Sequence, residues 1–297
     1  MRVRKRALVQ KFFADRGTHL AAMIAYFALV SFVPLVFLAL ALLGLSHRAD
    51  ASDFFVTELK RAFPGSSLAS ILKLVHRVQD NAAALGIIGA VGLLWSSLSL
   101  FSALESAFNI VYGRPNRSFL HGKGLAAGLM VGSLVALFAS LVVGAIGVDA
   151  LKRTEPGLVG SRPVAYSVSI FVSLAGIFLF LLIVYRLLTN APVTIRDALP
   201  GAVMAAIVLE ASFQVLPTFV RLASVNVTLR VLGGPAILLL WMYLMANVIV
   251  FGAELNWWAS QRRANQAAEG VRPRRLLRRH RPRLQRETAA SGRRSRS

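Results

Sequence analysis

The sequence contains no cysteine among its 297 residues, which excludes disulfide bridges, thiolate metal sites and cysteine nucleophiles. Its five histidines are scattered, with no pair at metal-ligand spacing. The short motifs of zinc proteases, phosphate-binding loops and serine hydrolases are absent as well. These absences predict that the protein is not an enzyme and that it has no catalytic residue, bound metal or other cofactor.

Charge is also scarce, because Asp, Glu, Lys and Arg make up only 16% of the chain. A soluble domain usually carries about 25%. What replaces charge is apolar sequence, in six blocks at roughly 20–45, 83–108, 124–148, 165–188, 199–220 and 235–258. Each block is long enough to cross a hydrocarbon core of about 30 Å as a helix. Since open strands cannot satisfy their backbone groups in lipid, the blocks predict an all-α polytopic membrane bundle of six transmembrane helices.

The last apolar block defines the ends of a span most clearly. Pro235 suits the first turn of a helix, where its missing N–H would have no partner. Trp257 and Trp258 suit the other end, because tryptophan is enriched at the level of the lipid headgroups.

Basic residues are distributed unevenly between the loops. With a cytoplasmic N-terminus, 24 of the 34 Lys and Arg residues fall on the inner side and 10 on the outer side. The positive-inside rule therefore predicts that both termini are cytoplasmic, as an even number of spans requires.

The segments that flank the spans have their own patterns. Residues 1–19 predict a basic helix at the membrane interface. The outer loop 46–82 predicts two short amphipathic helices, which either pack on the spans or cover an outward cavity; their apolar residues are Phe54, Phe55, Leu59 and Phe63, then Leu68, Ile71, Leu72, Val75 and Val78.

The tail, residues 259–297, contains 13 arginines and few apolar residues. This composition predicts a disordered segment that contacts anionic lipid headgroups. Sequence-independent contact with nucleic acid is the alternative use of such a tail, but no specific nucleic-acid partner is expected.

Glu210 is the most informative single residue, because it lies at the middle of the fifth block. A carboxyl group at that depth costs on the order of 3 kcal/mol and should face the bundle interior. We expect Glu210 to be protonated or held by hydroxyl and amide donors, with Gln214 one turn further on. Two uses stay open, namely a functional intramembrane acid and a structural hydrogen bonder.

Two further pairs of polar residues share helix faces. Glu105 and Asn109 lie near the inner end of the second block, where an arginine such as Arg114 or Arg117 could pair with the acid. Asn247 and Glu254 are seven residues apart in the sixth block. There we expect Glu254 to pair with Arg114, Arg117 or Arg186.

Small residues recur every fourth position in the third block and form a ridge that consists of Gly124, Gly128, Gly132, Ala136, Ser140 and Gly144. Such a ridge allows close helix packing. It predicts either packing within the bundle or the face of a homo-oligomer.

Two local signals concern helix geometry. Pro34 lies inside the first block and should kink that helix. Thr194 and Asp197 have the spacing of a capping box at the start of the fifth helix.

In this order the residues resemble the YihY/BrkB family of bacterial inner-membrane proteins over about residues 8–260. The similarity is carried by Ala21-Ala22, Ala25-Tyr26-Phe27, Ser31, Pro34, Trp95, Ser97, Phe101, Ala107-Phe108-Asn109, Tyr112, Leu199-Pro200-Gly201-Ala202, Leu240-Trp241, Tyr243 and Gly252-Ala253-Glu254-Leu255-Asn256. The resemblance implies six spans and an inner-membrane location, but no settled activity. Members were once labelled ribonuclease BN, which the missing metal and acid-base clusters make physically implausible here.

Two functions remain as hypotheses. The first is a transporter or permease-like protein for a small solute or lipid, with Glu210 as a protonation switch. The second is a non-transporting envelope scaffold that binds a partner through the small-residue ridge or the basic tail.

Overall fold

The computed structural model describes residues 6–45, 82–154, 162–225 and 234–291, and these residues form seven helices without a strand. They are α1 (Arg6–Ala14), α2 (Gly17–Leu45), α3 (Ala82–Tyr112), α4 (Phe119–Thr154), α5 (Arg162–Leu188), α6 (Ile195–Val225) and α7 (Gly234–Ser291). The all-helical membrane fold is therefore confirmed. Each of the six predicted spans lies inside one of the helices α2 to α7.

Five of these helices are long and apolar enough to cross a membrane, namely the spans at Ala90–Tyr112, Phe119–Ala136, Ile170–Leu188, Ile195–Leu216 and Pro235–Gln266. In α2, Gly17–Phe32 is apolar, and the backbone helix continues to Leu45. It runs through Pro34, whose Cβ lies 3.4 Å from the place a Cβ on Gly92 of α3 would take. The proline therefore packs against a helix position with no side chain.

The end of α3 and the start of α6 each have a recognisable cause. Gly113, with a φ of 61°, ends α3, where its N–H bonds to Ile110 O and the N–H of Arg114 bonds to Asn109 O. This pair of bonds is the Schellman arrangement, which favours glycine. Thr194 and Asp197 form the predicted capping box of α6, with Thr194 Oγ1 donating to Asp197 Oδ2 at 2.6 Å.

The helices pack in a spatial order that differs from their order in the chain. The closest neighbours are α3 with α2, α2 with α7, α7 with α6, and α6 with α5, while α4 packs mainly on α3. Small residues such as Ala21, Ala107, Ala202 and Ala253 are buried where these helices meet. Their size lets the backbones approach closely, as expected for helices packed in lipid.

Leu216 and Trp241 form a small separate cluster. Most of the other buried side chains that the structure describes lie toward one end of the bundle, at residues 20–31 of α2, 93–111 of α3, 126–129 of α4, 181–189 of α5, 198–210 of α6 and 246–256 of α7. Because successive spans run in opposite directions, all of these segments meet at the end that the sequence predicts to be cytoplasmic. We call this the packed end.

Two predictions about flanking segments have different outcomes. The described tail is helical, since α7 continues to Ser291, whereas the sequence predicted disorder from residue 259. The tail contains 13 arginines and six alanines, which are good helix formers, and the helix continues through Pro273 and Pro282. The predicted amphipathic helices of loop 46–82 lie outside the described residues.

Candidate functional site

Glu210 is buried between α5 and α6, with 6% of its surface exposed. Ser173 Oγ donates to its Oε2 at 2.6 Å, and Gln214 Nε2 donates to its Oε1 at 2.8 Å. These are the hydroxyl and amide donors that the sequence predicts. The sequence could not identify Ser173, because a single serine in an apolar helix carries no spacing signal.

The Ser173–Glu210–Gln214 cluster lies halfway along α6 and reaches the surface of the bundle. Glu210 is fifteen residues beyond Ile195, which is about 22 Å along the helix axis. Ser173 and Gln214 are exposed, although the carboxyl group between them is buried. The carboxyl group of Glu210 is therefore separated from the surface of the bundle by the side chains of Ser173 and Gln214.

Glu105 belongs to a second cluster, at the packed end. Arg117 Nη1 lies 3.3 Å from Glu105 Oε1, so one of the two arginines proposed as partners is correct. The same guanidinium donates to the carbonyl oxygens of Leu187, Leu188 and Thr189 at 2.6–3.0 Å. Arg117 therefore satisfies the carbonyls at the C-terminus of α5, and Glu105 holds it in place.

Asn109 connects two loops of the same cluster. Its Oδ1 accepts the N–H of Asn190 at 2.7 Å, and its Nδ2 donates to Asn116 Oδ1 at 3.0 Å. Asn190 in turn donates to the carbonyl of Pro115. The loop after α3 and the loop after α5 are thus held together by amide side chains.

Glu254 pairs with Lys11 of α1, so the expected pairing with Arg114, Arg117 or Arg186 is wrong. Lys11 Nζ lies 3.1 Å from Glu254 Oε2, and Glu254 is fully buried. The physical reason is that α1 packs into the bundle instead of only lying on the membrane surface. Phe12 is buried in the core, with its ring centroid 5.8 Å from that of Phe251.

Lys11 makes several contacts at once. It forms an ion pair with Asp15, donates to the carbonyl of Val111 at 2.8 Å and lies 4.4 Å from the ring centroid of Trp257. The ammonium group is therefore surrounded by two carboxylates, a backbone carbonyl and an aromatic ring, which take the place of hydrating water. The Lys11–Asp15 spacing of four residues was the signal in the sequence that could have pointed to this site.

A close crossing of α6 and α7 lies beside the Lys11–Glu254 pair. The N–H of Gly201 donates to Asn256 Oδ1 at 2.6 Å, and Tyr185 Oη donates to the carbonyl of Ile249 at 2.8 Å. A Cβ on Gly201 would collide with the carbonyl oxygen of Gly252, and one on Gly252 would collide with Tyr185. Two segments that carried the family resemblance, residues 199–202 and 252–256, therefore meet at one contact.

Asn247 does not join its helix partner Glu254. Its Nδ2 donates to the carbonyl of Tyr243 one turn back in α7 at 2.7 Å. The six polar residues proposed as a site thus fall into separate groups, Glu210 with Gln214, Glu105 with Asn109, Glu254 with Lys11, and Asn247 on its own helix.

The small-residue ridge is open along its described part. A Cβ on Gly124, Gly128 or Gly132 would meet no described atom within 4 Å, and Ala136 is exposed. The surroundings of Ser140 and Gly144 lie outside the described residues. Packing of this part of the ridge within the bundle, the first alternative from the sequence, is therefore not observed.

The described residues contain no group of three or more His, Asp or Glu side chains placed to hold a metal ion. The charged residues that are buried instead hold helix ends or pair with one another. The Ser173–Glu210–Gln214 cluster differs from them, because its carboxyl group meets neutral donors in the middle of a span.

The profile of a family described as Virulence factor BrkB matches residues 8–276. A ribonuclease-like protein of Bacillus subtilis, YfkH, is 25% identical over 259 residues, which cover 84% of this chain and 92% of the relative.

A UPF0761 membrane protein of Pseudomonas aeruginosa is 28% identical over 263 residues, which cover 84% of this chain and 61% of the relative. One from Rhodospirillum rubrum is 27% identical over 274 residues, covering 86% and 60%. The chain thus spans about three-fifths of the length of these UPF0761 relatives. No solved structure matches.

Proposed function

The chain belongs to the BrkB family of integral membrane proteins, and from this premise we propose that it moves a small solute or lipid across the bacterial inner membrane. The observation that carries the proposal is Glu210, a buried carboxyl group at mid-span that is hydrogen-bonded to Ser173 and Gln214. Ionisable residues inside membrane spans are costly and are typical of substrate and proton pathways.

The cluster can exist in two protonation states with different hydrogen bonds. An ionised carboxylate only accepts, so it suits the two donors that now point at it. A protonated carboxyl group carries an O–H of its own. The Ser173 hydroxyl can rotate so that its oxygen accepts a hydrogen bond from that O–H. Exchange between these states as a ligand arrives or leaves would couple protonation of Glu210 to transport.

The orientation within the membrane is part of the proposal. Both termini are placed in the cytoplasm because 24 of the 34 Lys and Arg residues then lie inside. The packed end would accordingly face the cytoplasm. A reporter fused to either terminus, active only in the cytoplasm, checks this arrangement.

Native mass spectrometry of the mildly solubilised full chain tests the transport proposal, followed by flux measurements in vesicles with whichever lipid or solute co-purifies. The variant is Glu210→Gln, which fixes the neutral form while keeping the size of the side chain. The control is Glu269→Gln in the tail, which makes the same chemical change outside the six apolar spans.

Transport by the wild type and the control, but not by Glu210→Gln, would support the proposal. Unchanged transport by Glu210→Gln would remove Glu210 as the switch. A protein that carries neither lipid nor solute and shows no flux would overturn the transport function itself.

An envelope scaffold is the second candidate, and the open ridge on α4 favours it. Residues Gly124, Gly128 and Gly132 offer a surface on which the helix of a second copy or another membrane protein could pack closely. The chain lacks cysteine, so a single Gly128→Cys variant reports contacts by crosslinking. Gly176→Cys on α5, also open among the described residues, is the control.

We also propose that the chain is not an enzyme, although one relative is named ribonuclease-like. The described residues offer no cluster of metal-binding side chains, and the buried acids are engaged in helix contacts. Cleavage of a mixed RNA substrate by pure protein with Mg²⁺, Mn²⁺ or Zn²⁺ would contradict this proposal.

A further inference from the structure

A groove lies between the C-terminal end of α5 and the start of α6, outside the clusters described above. Its volume is about 560 Å³, and it is lined by Arg186, Pro192, Val193, Thr194, Ile195 and Arg196. It opens to the surface at the packed end of the bundle. The groove is thus large enough for a polar headgroup with its glycerol unit and has one polar and one apolar part.

The polar part is cationic and its charges are free of counter-ions. Arg186 is in the last turn of α5 and Arg196 is in the first turn of α6, and both are exposed. Within the described residues neither forms an ion pair. The acid next to them, Asp197, is already engaged by Thr194 and by Arg263 at 2.9 Å. Two guanidinium groups therefore flank a space that no carboxylate of the described residues fills.

The apolar part consists of Pro192, Val193 and Ile195, the last of which is half exposed. Trp257 and Trp258 lie at the same end, and Arg262 stacks 3.8 Å from the ring centroid of Trp258. Tryptophan and arginine at a helix end are typical of the headgroup level of a membrane. The groove is therefore placed where a phospholipid headgroup lies, with apolar residues beside it.

We propose that this groove binds the phosphodiester headgroup of an anionic phospholipid, with Arg186 and Arg196 as the phosphate ligands. Guanidinium groups bind phosphate oxygens through paired N–H donors, which gives geometry as well as charge. The apolar wall would contact the glycerol and the first acyl carbons. This site is separate from Glu210, so it stands whether or not the protein transports anything.

The experiment measures binding of short-chain phosphatidylglycerol and phosphatidylcholine to the full chain in a neutral detergent, by native mass spectrometry or by titration. The test variant is Arg186→Gln/Arg196→Gln. The control is Arg114→Gln/Arg262→Gln, which removes two exposed positive charges from the same end of the bundle. Every variant retains the Arg-rich tail, so nonspecific lipid binding by the tail is the same in all of them.

The expected result is a loss of phosphatidylglycerol binding of roughly tenfold or more in the groove variant, since each basic residue near an anionic surface contributes measurably. The control should change binding by less than about threefold, and Glu210→Gln should not change it. Equal thermal unfolding of all variants would show that the fold is intact.

Three outcomes would overturn the proposal. One is phosphatidylglycerol binding in the groove variant equal to that of the control. Another is arginine-dependent binding of inorganic phosphate or glycerol 3-phosphate as strong as that of the lipid, which would assign the groove to a soluble phosphate. A preference for phosphatidylcholine would likewise contradict an anionic headgroup site.

Discussion

The ammonium group of Lys11 and the carboxylate of Glu254 lie 3.1 Å apart, although 243 positions separate them in the sequence. Glu254 is fully buried in α7, whereas 18% of the Lys11 side chain is exposed. The pair therefore fastens the short N-terminal helix to the last span. It also explains how a charged acid is tolerated within an apolar helix, since an unpaired charge there would be very costly.

Lys11→Met is expected to destabilise the protein by about 3 kcal/mol, because it leaves Glu254 buried without its cation. The double variant Lys11→Met/Glu254→Gln should recover part of that loss. Denaturation midpoints in micelles measure both. Lys123→Met is the control, since among the described residues Lys123 bonds to a neutral hydroxyl, Ser102 Oγ, and lies over the ring of Phe119. Equal effects of the two lysine changes would contradict a special role for the pair.

Gly201→Ala is expected to force α6 and α7 apart, because the added Cβ would collide with the carbonyl oxygen of Gly252 and lie 2.6 Å from Asn256 Oδ1. Overpacking of this kind typically costs about 1–3 kcal/mol of stability. The nearest atom belongs to the backbone of α7, which cannot move aside as easily as the end of a side chain. The yield of folded protein and its thermal midpoint should both fall.

The same substitution at Gly176 provides the comparison, because no described atom lies within 4 Å of the added Cβ. There the higher helix propensity of alanine should leave stability unchanged or slightly increased. If both variants behaved alike, the α6–α7 crossing would not be as close as described.

Arg117→Lys is expected to be nearly as damaging as Arg117→Gln. A guanidinium group reaches three carbonyls at the end of α5 and Glu105 together, whereas one ammonium group cannot match this fork geometry. We expect a loss of about 2–3 kcal/mol, since hydrogen bonds to charged groups are worth about 1.5–3 kcal/mol. Arg114→Gln, a change at an exposed arginine of the same loop, should stay within about 0.5 kcal/mol.

Thr194→Ala removes the hydroxyl that accepts from the N–H of Asp197 at 3.3 Å and donates to its carboxylate. Loss of such a cap typically costs about 1 kcal/mol. Thr194→Ser keeps the hydroxyl and should retain most of that stability in the same unfolding measurement. A serine variant as unstable as the alanine variant would show that the methyl group, and not the cap, matters.

Some features of the site follow from short-range sequence patterns. The sequence predicted the capping box of Thr194 and Asp197 and the Glu105–Arg117 pair, because both partners lie in the same helix or in the next loop. It also predicted neutral donors around Glu210, because a buried carboxyl group needs hydrogen-bond donors. Ser173, Lys11 and Asn256 were not identified as partners. Each reaches its contact across a helix interface, and spacing along the chain holds no information about such distances.

The sequence by itself determined that the chain is a helical membrane protein with several spans, because the length and polarity of its apolar blocks are matched against a bilayer of fixed thickness. Only the tertiary structure decided which polar residues meet. It placed Lys11 on Glu254, joined Gly201 to Asn256, left Gly124, Gly128 and Gly132 open among the described residues and lined one groove with Arg186 and Arg196. The reason is that apolar helix surfaces in lipid are nearly interchangeable, so the neighbours of a helix are set by close packing and by a few polar contacts between distant segments.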